Sequence, residues 1–325
     1  MSLEFIISQS LYFIIPLLIV ALAGLFSEKS GTINIALEGL MIIGAFFGVL
    51  FINKMQENHI LDNNQQLLLI LALIVAGISG LLFSSLLAFL AINMKADQTI
   101  GGTALNLLAA ALAVFLSKSI INDTRIYFQA NFQLKSTFLS KLPAINYIFF
   151  DRAYLTSYLG ILILIITVVI FKYTKFGLRL SSCGEHPEAA QSVGINVIKY
   201  RWIGVLISGF LAGLGGLVYI IPTAISFEGT VSGYGFLALA VLIFGQWKPG
   251  RIFISAIFFG TFTMLSVSFF GFSFISNFME KYPNIPISMV IRMLPYLVTM
   301  VALAISSKKS RAPKSAGKPF GATSI

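Results

Sequence analysis

"LLLILALIVAGISGLLFSSLLAFLAI", residues 67–92, carries no charged side chain along its whole length. About 20 mostly apolar residues are enough for a helix to cross the hydrocarbon of a bilayer. The run is solidly apolar, without the in-and-out alternation of a barrel strand, and lipid offers no water to backbone groups left unpaired. A helix is the remaining solution. Tyr158 to Phe171 reads the same way. Across 325 residues the chain is 57% hydrophobic and 10% charged, with a mean hydropathy of +0.91. A soluble domain averages about 25% charged residues, so this composition cannot cover a water-facing surface. The fold class is all-α: a polytopic helical membrane protein.

Run length places spans near 4–26, 34–53, 67–93, 99–118, 155–172, 201–222, 234–247, 252–276 and 287–306, nine in all with ten as the upper count. These form a transmembrane domain over 1–306 with a loop at 173–200. A basic tail follows at 307–325 and reads as disordered. Ala21-Leu22-Ala23 imitates a signal-peptidase site, but the first residues hold Glu4 and no Lys or Arg. The apolar region from Phe5 to Phe26 is also longer than a signal core, so it reads as an uncleaved first span. Lys172, Lys175, Arg179, Lys199 and Arg201 cluster in one loop, and Lys308, Lys309, Arg311, Lys314 and Lys318 in the tail. The positive-inside rule puts both in the cytoplasm and the N-terminus outside. The longer segment 119–154, with Arg125, Lys135, Lys141 and Arg152, conflicts with this, and longer loops obey the rule weakly. The net charge of +10 is met by anionic lipid head groups and requires no nucleic acid. The single cysteine, Cys183, excludes an internal disulfide, and no metal cluster is expected.

"SEKSGTINIALEGLMIIGAFFG", residues 27–48, puts a carboxylate, Glu38, inside an apolar stretch. On a helical reading Asn34 and Glu38 share one face near the cytoplasmic end, so Glu38 is expected to be shallow. It either caps backbone amides or pairs with Lys29, or else lines a water-filled path or a subunit interface. Gln98 starts another span and Asn106 lies deeper, as an interhelical bond or a solute contact. Tyr234 and Phe236 could face a base or sugar, or anchor at the membrane interface. Ser208, Gly209, Ala212, Gly213 and Gly216 form a small-residue stripe that reads as helix packing. Arg292 is expected to snorkel.

"KYTKFGLRLSSCGEHPEAAQSVGINVIKYRW", residues 172–202, interrupts the apolar pattern. Pro187 and Glu188 suit a first helical turn, and Gly194 suits a stop. A helix this short needs tertiary or partner contacts to persist; an ordinary interfacial loop is the alternative.

Glu185, Pro187, Glu188, Ala189, Ala190, Gly194 and Ile195 together resemble the cytoplasmic coupling loop of ATP-binding-cassette importer permeases. "FSEKSGTINIALEGLMIIGAF" (26–46), "ADQTIGGTALNLLA" (96–109), "SGFLAGLGG" (208–216), "GYGFLALAVLIFGQWKP" (233–249) and "MLPYLVT" (293–299) extend the likeness. They resemble the ribose and branched-chain amino acid branch, and within it nucleoside permeases that work with Bmp-type lipoproteins. The pattern departs at Gln246 and at Ala110-Ala111. The resemblance implies an ABC ATPase subunit docking on the 185–195 helix, and a second, related permease completing a heterodimer. It also implies an extracellular substrate-binding lipoprotein, and a place in the cytoplasmic membrane of a bacterium. No cofactor is expected on this chain; ATP is used by the partner.

An ATPase within the chain is excluded, because the one Gly-Lys pair, at 317–318, precedes Pro and no phosphate-binding loop exists. An ion-coupled secondary transporter would require intramembrane acids or histidines, yet His59 and His186 fall in loops and no carboxylate is expected at mid-span. A membrane enzyme would require a catalytic constellation that is absent. The expected cargo is a neutral solute, a nucleoside, with a ribose-like sugar as the alternative.

Overall fold

The computed structural model describes residues 3–61, 64–129, 132–134, 154–268 and 312–321, together with positions 293, 297, 300 and 304. Its helices run α1 (Leu3–Lys29), α2 (Leu37–Glu57), α3 (Gln65–Ala88, continued by a π-helical turn Phe89–Asn93), α4 (Gln98–Ile121) and α5 (Leu155–Tyr173). They continue as α6 (Lys175–Glu185), α7 (Pro187–Ser192), α8 (Val197–Thr223), α9 (Tyr234–Phe244) and α10 (Pro249–Ser268). Two short strands, β1 (Ile126–Tyr127) and β2 (Ser226–Phe227), pair antiparallel at the end of the bundle remote from α6 and α7. Among the described residues, seven helices are long and apolar enough to cross a membrane: α1 to α5, α8 and α10.

The bundle is built around α1 and α8. Leu17 to Ala23 of α1 have no exposed surface, because α8, α10, α9 and α5 pack around this helix. α8 in turn packs on α3, α1 and α2. Lipid tails are as apolar as leucine, so helices associate here through close fit rather than exclusion of water. The stripe Ser208, Gly209, Ala212, Gly213 and Gly216 lies at that fit. A Cβ on Gly213 would overlap the Ala76 carbonyl oxygen, one on Gly216 the Met41 carbonyl oxygen, and one on Gly209 the Ser84 hydroxyl. The outer faces of α3, α4 and α5 keep large apolar side chains exposed, including Leu82, Leu107, Phe115 and Ile165.

The described helices cover eight of the nine expected spans; the ninth, 287–306 with Arg292, lies outside the described residues apart from isolated positions. Four expectations change. The second span does not start at residue 34, since 32–36 are non-helical and α2 begins at Leu37. The region 234–247 holds an 11-residue helix, which at 1.5 Å per residue reaches about 16 Å, half the hydrocarbon thickness. The loop 173–200 contains two helices, α6 and α7, not one. The tail is not disordered over 312–321: these residues follow a defined path of turns, because polar groups of the bundle bind their backbone.

Candidate functional site

α1 ends in a tight turn in which the Ser30 and Gly31 amides donate to the Ser27 and Glu28 carbonyls. Gly31 has φ +98°, a conformation costly for any residue with a Cβ. The chain then advances without helical bonds through 32–36, so its peptide groups need other partners. α4 supplies them from side chains. Gln98 Oε1 accepts from the Ile33 amide at 2.7 Å, and Asn106 Oδ1 from the Gly39 amide at 2.7 Å. Asn106 Nδ2 donates to the Ile35 carbonyl at 2.9 Å. Asn34 reaches the other way, its Nδ2 donating to Ser208 Oγ on α8 at 2.8 Å. Asp97 caps α4 by accepting from Thr99 N at 2.8 Å and Ile100 N at 3.0 Å; the Ile100 and Thr99 amides hold its carboxyl below the usual carboxylate range.

Glu38 faces the start of α9. Its Oε1 accepts from the Gly233 amide at 2.9 Å and its Oε2 from the Gly235 amide at 2.6 Å. A helix N-terminus offers unpaired amides and a positive dipole end, which suits a carboxylate. The fit requires glycine, since a Cβ on Gly235 would overlap the Glu38 backbone. Beyond the far end of α9, Trp247 Nε1 donates to Glu28 Oε2 at 2.5 Å. The half-length helix is thus held by a carboxylate at each end.

This corrects the face Glu38 was expected to share with Asn34, because Asn34 is not helical and α2 begins at Leu37. Of the partners expected for its carboxylate, Glu38 takes backbone amides, those of Gly233 and Gly235 at the start of α9, rather than Lys29.

Of the six candidates for the solute path, Asn34, Glu38, Gln98, Asn106 and Tyr234 are buried within this network. Tyr234 stacks on Tyr219, with centroids 4.0 Å apart and planes at 27°. Phe236 is 50% exposed and stands on the open side of α9. Asn34 Oδ1, Thr32 Oγ1 and Gln98 Nε2 are buried without a hydrogen-bond partner among the described residues. A separate lateral groove of about 690 Å³, lined by Leu73, Leu162, Ile166, Phe210 and others, is almost wholly apolar. It lacks the donors and acceptors a polar solute requires.

On the face where α1 ends, α6 and α7 form a pair joined at His186. Thr174 caps α6, its side chain accepting from Gly177 N at 3.1 Å, and Gly184 lies where a Cβ would overlap the Lys29 carbonyl oxygen. Glu185 ends α6, Pro187 is buried at the start of α7, and Gly194 follows α7 with φ +83°. Glu188, Ala189 and Val193 are exposed, whereas Ala190 is buried against Cys183 and Val197, with Ile195 at the edge. Burial pushes the Cys183 thiol up from its ordinary value. Reading the sequence missed α6, whose signal is Thr174 before a stretch with Gly177, Leu180, Cys183 and Gly184 at helical spacing. It also missed Glu28, Trp247, Arg201, Ser315 and Phe320.

Residues 6–303 match the family described as branched-chain amino acid transport system / permease component. The chain is 41% identical over 321 residues to the guanosine ABC transporter permease protein NupQ of Bacillus subtilis, covering 98% of this chain and 97% of the relative. It is 37% identical over 318 residues to the nucleoside ABC transporter permease protein NupC of Lactococcus lactis, covering 97% and 96%. A more distant likeness, 24% over 266 residues and covering 78% and 70%, links it to the nucleoside ABC transporter permease protein NupB of the same Lactococcus strain. No solved structure matches the chain.

Proposed function

This chain belongs to the branched-chain amino acid transport permease family, and we propose that within it the chain is a membrane subunit of a nucleoside importer driven by ATP. The observation that carries this reading is the likeness, over nearly the whole chain, to two permeases named for guanosine and nucleosides. The chain supplies no ATPase chemistry. A separate ATPase subunit docks on the outward side of α7, where Glu188, Ala189 and Val193 stand free. An extracellular binding lipoprotein delivers solute at the opposite end.

A second, related permease completes the pore. Both NupC and NupB of one Lactococcus strain are similar to this chain, which supports a heterodimer. The solute path runs beside the α9 network, with Phe236 as the aromatic face and the buried polar groups as the scaffold behind it. Interrupted helices whose backbone is satisfied by side chains are a recurrent way to build such sites. The N-terminus is outside and the tail cytoplasmic, from the Lys/Arg distribution.

Uptake of labelled guanosine in cells with and without the chain tests the reading. Uptake should require the chain, be competed by other nucleosides and not by ribose, stop on ATP depletion and persist when an ionophore collapses the proton gradient. Competition by ribose alone, or survival of uptake without ATP, overturns it.

A further inference from the structure

We propose that the C-terminal segment 312–321 is a strap linking the α6–α7 pair to the non-helical stretch 32–36 before α2, with Arg201 and Ser315 as its positioning residues. The proposal rests on α6–α7 receiving the ATPase, and concerns how movement there reaches the membrane. Ser315 grips the end of α6: its amide and its Oγ donate to the Gly184 carbonyl at 2.9 and 2.6 Å. Two residues on, the Gly317 amide donates to the Gly31 carbonyl at 3.3 Å, at the turn that releases the chain into 32–36. Arg201 Nη1 on α8 donates to the Lys318 carbonyl at 2.9 Å, and the Phe320 ring lies 5.9 Å from its guanidinium carbon. Lys95, after the π-turn of α3, donates to the Gly321 carbonyl at 2.9 Å. One short segment therefore touches four parts of the bundle, and α6 is joined through it to the link that leads into α2, whose first turn holds Glu38.

The hold is strong enough to order the segment and weak enough to exchange. Arg201 is 1% exposed, yet its Nε and Nη2 find no hydrogen-bond partner among the described residues. A buried guanidinium so sparsely bonded gains hydration when the strap leaves. Loss of the strap's hydrogen bonds opposes that gain. An element balanced between two arrangements can pass on a displacement. When the ATPase moves α6–α7, a docked strap adds the Ser315 and Gly317 hydrogen bonds to the direct packing of Gly184 on Lys29 and Gly31, whereas a free strap leaves that packing as the one link to 32–36 among the described residues.

The test uses the complete importer in proteoliposomes, with solute transported per ATP hydrolysed as the readout. Deleting residues 312–325 should leave the ATPase bound and hydrolysing, and should lower solute per ATP by about tenfold or more, within the usual range of coupling between sites. Ser315→Ala should lower it by about two- to tenfold, the worth of one hydrogen bond. Cys183, the single cysteine of the chain, is buried beside Phe320 and reports the docked state. Mass spectrometry should find it unreactive to maleimide at rest, and reactive in the deletion and during turnover. If the deleted chain fails to assemble, Ser315→Ala and Phe320→Ala carry the same measurement. Wild-type solute per ATP in these variants, or faster hydrolysis and uptake together, overturns the strap. Ala189→Glu separates the two readings: if it still binds the ATPase, the docking assignment falls, whatever the strap does.

Discussion

Inside the membrane, α9 is seated by its backbone: the Gly233 and Gly235 amides point at the two oxygens of Glu38. At the end of the bundle where α1 stops the polarity is reversed, and side chains of Arg201 and Lys95 reach for carbonyls of the C-terminal segment. In the first seat both carboxylate oxygens are matched, and the elements approach so closely that only glycine fits at Gly235. In the second, a guanidinium keeps two nitrogens without partners among the described residues. The difference separates a joint that holds position from one that can let go. Backbone amides on a half-helix have no rotamers to change, whereas long cationic side chains do.

The largest effect expected from this contrast is at Glu38. Glu38→Ala leaves one buried and one partly buried amide without acceptors and should cost about 3–4 kcal/mol of stability, at roughly 2 kcal/mol for the buried one and somewhat less for the other. Thermal unfolding of the detergent-purified chain measures it. A melting curve equal to the wild type would show that the carboxylate does not hold α9. Glu38→Gln keeps one acceptor and should fall between; uptake reduced far beyond the loss of folded chain would place Glu38 on the solute path as well as under α9.

Next in size is a pair at the α7 surface. Ala190→Glu forces a carboxylate among Cys183 and Val197 and should cost on the order of 3 kcal/mol locally, seen as early proteolysis within 173–200. Ala189→Glu, one residue away and exposed, should leave proteolysis unchanged. Equal cleavage of both would remove the inward and outward assignment of α7.

Gly235→Ala should cost about 2 kcal/mol, because the new methyl group must push α9 off Glu38. A wild-type melting temperature there would mean that the seat is looser than its geometry.

The smallest effect is at Asp97, an exposed cap. Its folded carboxyl titrates below the ordinary value, so its contribution is present above the unfolded value near 4 and is lost as pH falls through the folded one. Asp97→Ala should therefore melt slightly earlier at pH 7, with the gap closing below about pH 4. A gap that widens in acid would contradict the capping role.

Much of the bundle is legible from run length alone, because a chain in lipid has few ways to satisfy its backbone. The break at 32–36 is not legible. Thr-Ile-Asn-Ile-Ala is as apolar as a span, and only Gly31 before it marks a turn. What satisfies its backbone outside a helix is Gln98 and Asn106, more than sixty residues away in sequence. Glu38 was recognisable as a residue needing a partner, but the identity of that partner cannot be read locally. The tail misleads in a different way. Its Lys and Arg side chains suggest a solvated end, while the contacts that order 312–321 use its backbone, Ser315 and Phe320, which charge counting does not register. The outward face of α7 was legible only in part, since an 11-residue amphipathic helix precedes it and turns Ala190 inward.

The seat of α9 also fixes an order of events at the ribosome. Gly233 lies 195 residues after Glu38, so at about 5–20 residues per second the carboxylate waits roughly 10–40 s for its amides. During that interval α2 carries an unmatched acid that resists full burial in lipid. The insertion machinery, or the water-accessible side of the growing bundle, must shelter it until the glycines arrive. A chain halted before residue 233 should thus be held at the translocation site, and released into the bilayer once α9 has emerged.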